Sequence, residues 1–192
     1  IVNKISDKYI KKNKTVGIIC VDPSSPFNGG AILGDRVRMD SIHMSDNVFI
    51  RSIATRGSLG GLSESISDIE VLYESFGFDI IIYETVGVGQ IEIDVMNYCD
   101  TVVLAMTPES GDDIQMMKAG LIECSDIIVI NKSDREGGDK MLTFLSHYLK
   151  KTINKRAIPV IKLIAIQDVG IKNLIKEILD HYKFLLKNKM II

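Results

Sequence analysis

Four residues, Asn131-Lys132-Ser133-Asp134, follow directly on the apolar run Asp126-Ile-Ile-Val-Ile130 and have the side chains needed to read one kind of base. A carboxylate at Asp134 accepts two hydrogen bonds at once, from the ring N–H and the exocyclic amine of guanine. Adenine offers no such pair, so binding it leaves a desolvated carboxylate unpaired. A site built this way discriminates by about 10⁴ or more. Asn131 is suited to the base edge and to tying neighbouring loops together, and the Lys132 stem to covering the base plane. The competing reading is structural: a polar turn in which Asp134 caps the next helix.

A second group, Glu84-Thr85-Val86-Gly87-Val88-Gly89-Gln90, follows the run Asp79-Ile-Ile-Ile-Tyr83. An acid at the tip of a buried strand is where nucleotide hydrolases place the carboxylate that orients a Mg²⁺ shell. Gly87 can offer a backbone N–H to a γ-phosphate, and Gln90 can position water. A third group lies in the long stretch from Asp22 to Arg36, which holds two Asp, two Pro and three Gly after the run Thr15 to Val21. Loops of that length in a compact domain tend to be functional or disordered. Asp22 is suited to holding a metal-bound water or orienting an attacking water, and Asp35 to joining the metal shell. Arg36, Arg38, Arg51 and Arg56 can face phosphate, although surface ion pairs explain any single one as well.

These groups need a scaffold, and its pattern is regular. Short β-branched runs at 15–21, 48–53, 79–83, 101–106, 126–130 and 158–165 are mostly continuous, as expected of strands buried on both faces of a parallel sheet. Helical spacing lies between them. Ile66, Ile69, Val71, Leu72 and Phe76 mark one helix, opened by Ser63 and closed by Gly77. Met141 to Leu149 mark another, and Leu174 to Tyr182 a third, after Gly170. Strands alternating with helices predict an α/β domain with a mostly parallel sheet, whose ligands sit beyond the carboxyl ends of the strands. All three chemical groups fall there.

Composition narrows the rest. The 192 residues fit one domain, and a net charge of −2 argues against a dedicated nucleic-acid binder. Charge is uneven: 12 basic against 22 acidic side chains in 1–139, then 11 against 3 in 140–192. Such blocks read first as solvated helix faces. No apolar run is long enough to span a membrane, since 158–166 is short and contains Lys162. Cys20, Cys99 and Cys124 lack metal-ligand spacing and point to a reducing compartment. His43, His147 and His181 form no cluster, and each is expected on a helix surface or half-buried.

In order along the chain, Val21 to Arg36, Arg51 to Leu62, Glu84 to Gln90, Ser110-Gly-Asp-Asp-Ile114 and Asn131 to Asp134 closely resemble the MeaB/ArgK family of GTPases associated with methylmalonyl-CoA mutase. The resemblance runs from about residue 1 to 180. It implies a three-layer P-loop NTPase fold, with GTP/GDP and Mg²⁺ as cofactors. It also implies a chaperone whose GTP hydrolysis gates adenosylcobalamin delivery to the mutase, or to a related adenosylcobalamin-dependent mutase, and protects it. Carried over, Asp22, Asp35 and Glu84 match the Mg²⁺ and switch carboxylates, and Asn131, Lys132 and Asp134 the guanine-binding residues. Ile164-Ala165-Ile166 falls where the family usually reads Ser-Ala-Leu, a loop whose backbone N–H meets the guanine carbonyl. Ile164 removes any hydroxyl support of that loop, so weaker affinity is expected. A cytoplasmic location is implied, or the mitochondrial matrix in a eukaryote, with homodimerisation through an arm beginning near 170–192.

One family element has no counterpart. No G-x-x-x-x-G-K-[ST] occurs, so the phosphate cradle and its lysine are not in these 192 residues. The segment Ile1 to Ile10 resembles the helix that follows the P-loop. The expectation is an N-terminally truncated GTPase domain over 1–192, lacking its first strand, with the cradle encoded just upstream and little GTP hydrolysis without it. Two alternatives stand beside this reading: a non-hydrolysing guanine-nucleotide docking module, and the ATPase or kinase of an arginine/ornithine transport system suggested by older family naming.

Overall fold

Each of the six β-branched runs folds as a strand in a computed structural model that describes residues 1–22, 42, 45–54, 65–85, 95–109, 120–151 and 157–190. The chain divides into two compact units, Ile1–Asn97 and Tyr98–Ile192. Each unit holds one three-stranded sheet, and every strand pair is parallel, as the continuous apolar runs require.

The first unit contains α1 (Val2–Ile10), β1 (Val16–Asp22), β2 (Val48–Ala54), α2 (Ser65–Phe76) and β3 (Ile80–Thr85), with sheet order β2-β1-β3. The central strand β1 buries Val16, Ile18, Ile19, Cys20 and Val21 almost completely. Gly17 interrupts that series for a steric reason. A Cβ there would stand 2.4 Å from the Tyr73 ring, which lies against β1 and donates its hydroxyl to the Ile18 carbonyl at 3.3 Å. Tyr73 therefore anchors α2, and Val71, Leu72 and Phe76, expected to mark the inward face, are largely exposed instead. The helix itself is where the periodicity puts it, and Gly77 closes it in the left-handed conformation, φ 74°.

The second unit contains β4 (Val103–Met106), the single turn α3 (Leu121–Cys124), β5 (Ile127–Asn131), α4 (Gly138–Lys151), β6 (Val160–Leu163) and α5 (Ile171–Asn188), with sheet order β4-β5-β6. Ile127, Ile128, Val129 and Ile130 of the central strand are fully buried. Met141 and Leu145 of α4, and Ile171, Leu174, Ile175 and Leu185 of α5, complete the core. His147 is exposed as expected, but His181 is not: it is 3% exposed on the inward face of α5. Its Nδ1 lies 2.9 Å from Thr101 Oγ1 and its Nε2 3.2 Å from Asp126 Oδ1, so both ring nitrogens are satisfied. The helical period that buries Leu174 and Leu185 carries residue 181 to the same side. Among the described residues no helix is long and apolar enough to cross a membrane.

The start of the first sheet is fixed by one carboxylate. Asp79, just before β3, accepts from Lys14 Nζ (2.6 Å), the Thr15 N–H (2.9 Å) and the Thr15 hydroxyl (3.0 Å). The Lys14 hydrogen bond, followed by that from the Thr15 N–H, pulls its pKa from 3.8 down to about 2. A carboxylate with a lowered folded pKa stabilises the fold above its unfolded pKa, and that contribution is lost as pH falls toward the folded value. Asp79→Asn is therefore expected to lower the urea midpoint at pH 6. The gap to the wild type should narrow progressively below about pH 4, the unfolded carboxylate range. A gap independent of pH between 6 and 3 would show that the carboxylate charge is not what holds this junction.

Candidate functional site

The parallel register brings the chemical residues to the carboxyl end of each sheet. In the second unit, β5 ends at Asn131, and Lys132 then takes a left-handed conformation, φ 55°. That reversal turns the chain out of the strand, and the Arg135 N–H donates to the Lys132 carbonyl at 3.0 Å to close a tight turn. The Ser133 N–H donates to the Leu163 carbonyl at 3.1 Å, tying the turn to the end of β6. Helix α4 then begins so close to the turn that a Cβ on Gly138 would stand 2.5 Å from the Ser133 carbonyl oxygen. Gly138 is a packing requirement of the Asn131–Asp134 loop, a role that the bare four-residue pattern does not reveal.

The segment after β6 meets this loop directly. Ala165 donates its N–H to Asn131 Oδ1 at 3.2 Å, so Asn131 joins the two loops as its position suggested. Ala165–Gln167 form a short 3₁₀ turn, closed below by reciprocal bonds between Ile164 and Val169 (3.1 and 3.3 Å). The Ile166 N–H has no partner among the described residues, and its side chain at the tip is 85% exposed. Gly170, φ 82°, returns the chain so tightly that a Cβ would stand 2.4 Å from the Lys162 carbonyl oxygen. Lys132 and Asp134 are both exposed. Asp134 makes no hydrogen bond among the described residues, so it does not cap α4. Its two carboxylate oxygens stand open at the tip of a buried strand.

In the first unit, β1 and β3 run side by side, with Cys20 opposite Glu84 and Val21 opposite Thr85. Asp22 ends β1, and Glu84 sits one residue before the end of β3. The Cys20 thiol lies 3.8 Å from Glu84 Oε2. An acid near a strand tip is a setting that suits a hydrated divalent cation. Among the described residues no three His, Cys, Asp or Glu side chains form a cage for a metal. The Asp22 side chain, Asp35, Gly87, Gln90, Arg36, Arg38 and Arg56 lie outside the described residues, as do His43, Ser63 and the 110–114 segment. Arg51 is exposed on β2.

The Asn131–Ala165 bond makes a direct claim about loop order. Asn131→Ala leaves the Ala165 N–H without its acceptor, at a cost of about 1 kcal/mol. Hydrogen exchange at Ala165 is expected to accelerate by roughly fivefold, with strand β5 amides unchanged. Unaltered protection at Ala165 would mean that other contacts hold the loop.

A family model described as Methylmalonyl Co-A mutase-associated GTPase MeaB matches residues 1–191. A protein of Pyrococcus horikoshii that carries a GTPase name is 47% identical over 190 residues, covering 93% of this chain and 59% of its own length. The protein named GTPase ArgK of Escherichia coli is 44% identical over 125 residues, covering 65% of this chain and 38% of its own. The chain thus spans little more than half of the archaeal protein it matches. Among solved structures, HypB from Helicobacter pylori in complex with nickel superposes with a TM-score of 0.59 at 16% identity, covering 93% of this chain and 78% of that one. At that identity the likeness shows a shared α/β fold with parallel strands and nothing about ligands.

Proposed function

Starting from the fact that the chain belongs to the MeaB family of methylmalonyl Co-A mutase-associated GTPases, we propose that it binds GTP or GDP and acts in GTP hydrolysis. In this reading the hydrolysis gates adenosylcobalamin delivery to methylmalonyl-CoA mutase, or a related mutase, and protects that enzyme. One observation carries the nucleotide part: Asn131 is hydrogen-bonded to the Ala165 loop while the neighbouring Asp134 carboxylate is left open at the carboxyl end of β5.

The residues fit a guanine base. Asp134 would accept from its ring N–H and amine, and the free Ile166 N–H would donate to its carbonyl. The Lys132 stem and the exposed Ile166 side chain would cover its faces, which accounts for an isoleucine left 85% exposed at a loop tip. Glu84 fits the hard-oxygen chemistry of Mg²⁺, which takes one or two carboxylates together with phosphate oxygens and water. Bound Mg²⁺-GTP supplies the phosphoryl group and neutralises charge on it. This chain's part would be positional: Glu84 and Asp35 would hold metal-bound water, Asp22 would orient the attacking water with Gln90 as a second candidate, and Gly87 would donate to phosphate. A homodimer through the end of the chain near 170–192 belongs to the same proposal.

Separate titrations of GTP and ATP into the protein expressed from its complete gene test the base assignment. GTP is expected to bind tighter by about 10²-fold or more, and Asp134→Asn to cost GTP at least about tenfold. Equal affinities for the two nucleotides would return the reading to an ATPase or kinase. For the chemistry, Asp22→Ala should slow turnover while changing nucleotide affinity little. Unchanged turnover would remove Asp22 from the catalytic group, and tight GTP binding with no turnover in the wild type would favour a docking module.

A further inference from the structure

A carboxylate that must stay open to a base has a problem if a cation sits beside it, and Asp134 is followed immediately by Arg135. Both lie on the tight turn closed by the Arg135 N–H and the Lys132 carbonyl. A guanidinium presents two parallel N–H donors and matches a carboxylate in bidentate fashion. It therefore offers Asp134 the same pair of hydrogen bonds that the ring N–H and amine of guanine would offer. In this structure Arg135 does not take that place. Its Nη1 donates instead to Glu109 Oε2, in the stretch that follows β4. Asp134 is left without a partner among the described residues.

We propose that Glu109 is a specificity-determining positioning residue: by holding Arg135 in an ion pair, it keeps the Asp134 carboxylate available to guanine. The inference rests on the guanine reading above and adds a residue from a different strand connection to it. Glu109 touches no base and reacts with nothing; it acts through Arg135. Both partners are about half exposed, 47% for Arg135 and 49% for Glu109, so the pair adds little to fold stability. Its effect is on a competition. Releasing Arg135 lets an exposed ion pair form with Asp134, and pairs of that kind shift an equilibrium by about two- to fivefold.

The test compares GDP with ADP, whose adenine offers Asp134 no pair of donors, by calorimetry on the protein expressed from its complete gene. The ratio of the two affinities reports the Asp134 contact, whereas general damage to the loop weakens both ligands alike. Glu109→Gln is expected to weaken GDP by about two- to fivefold and to leave ADP unchanged, so the ratio falls. Arg135→Gln added to Glu109→Gln should restore both the GDP affinity and the ratio to within about twofold of the wild type, and Arg135→Gln alone should leave them there. An unchanged ratio in Glu109→Gln, or a loss that persists in the double variant, overturns the role of Glu109. A wild type that does not prefer GDP over ADP, or an Asp134→Asn variant with unaltered GDP affinity, would instead overturn the guanine reading beneath it.

Discussion

A strand buried on both faces can carry polar chemistry only at its ends, and this constraint organises both units. Ile127 to Ile130 leave no position in β5 for a polar side chain before its last residue, Asn131, and Val16 to Val21 leave almost none in β1 before Asp22. Parallel pairing then stacks the strand ends in register, so that residues far apart in sequence arrive at one edge of each sheet. Glu84 and Asp22 reach the carboxyl end of the first sheet, and Asn131 and the 164–169 loop that of the second. The apolar interior is what makes those edges stiff enough to hold a loop in one arrangement.

The opposite end of the second sheet answers with its own polar group. Asp126, immediately before β5, accepts from His181 at one carboxylate oxygen and from the Val102 N–H at 2.9 Å at the other. Thr101 meets the second nitrogen of the same ring. Helix α5 starts at Ile171, just after the 164–169 loop, and reaches His181 after about 15 Å of helical rise. It is thus fixed to the strand starts through His181 and to the end of β6 through the close approach of Gly170 to Lys162. The 164–169 loop emerges from a helix held at two points along its length. Its conformation depends on the core as much as on its own residues.

How much of this was readable follows from the range of each interaction. The strands and helices were legible because burial imposes periods of 2 and 3.6, or continuous apolar runs, on neighbouring residues. Asn131 and Asp134 stood out because base recognition would need particular side chains at fixed spacing after a strand, and the structure places both where β5 ends. The inward face of α2 was misread, since three wholly apolar residues outvote Tyr73, with its hydroxyl, in a local count. What places Tyr73 inward is the missing Cβ of Gly17, in a strand over fifty residues away. His181 was expected on a helix surface or half-buried, and is buried, because a lone histidine carries no local sign of its partners Thr101 and Asp126. The Glu109–Arg135 pair is of the same kind, joining connections after two different strands. Local pattern picks out candidate groups by type and spacing; contacts across the sheet decide how those groups are held.

The loop after β6 shows the difference most sharply. Reading Ile164 where the family usually has serine suggested a loop deprived of hydroxyl support. The support present here is of another type. Ile164 and Val169 close the loop with two backbone hydrogen bonds, and Gly170 in its left-handed conformation lets the chain return against the Lys162 carbonyl. Asn131 supplies a side-chain bond from outside the loop altogether. None of these contacts involves the side chain of residue 164. A hydroxyl there would add a bond to a turn whose backbone is already closed, so its absence bears on the fine adjustment of the Ala165 and Ile166 amides. What decides whether the loop exists is the glycine at 170, where any Cβ would meet a backbone carbonyl that cannot move without pulling β6 from its register with β5.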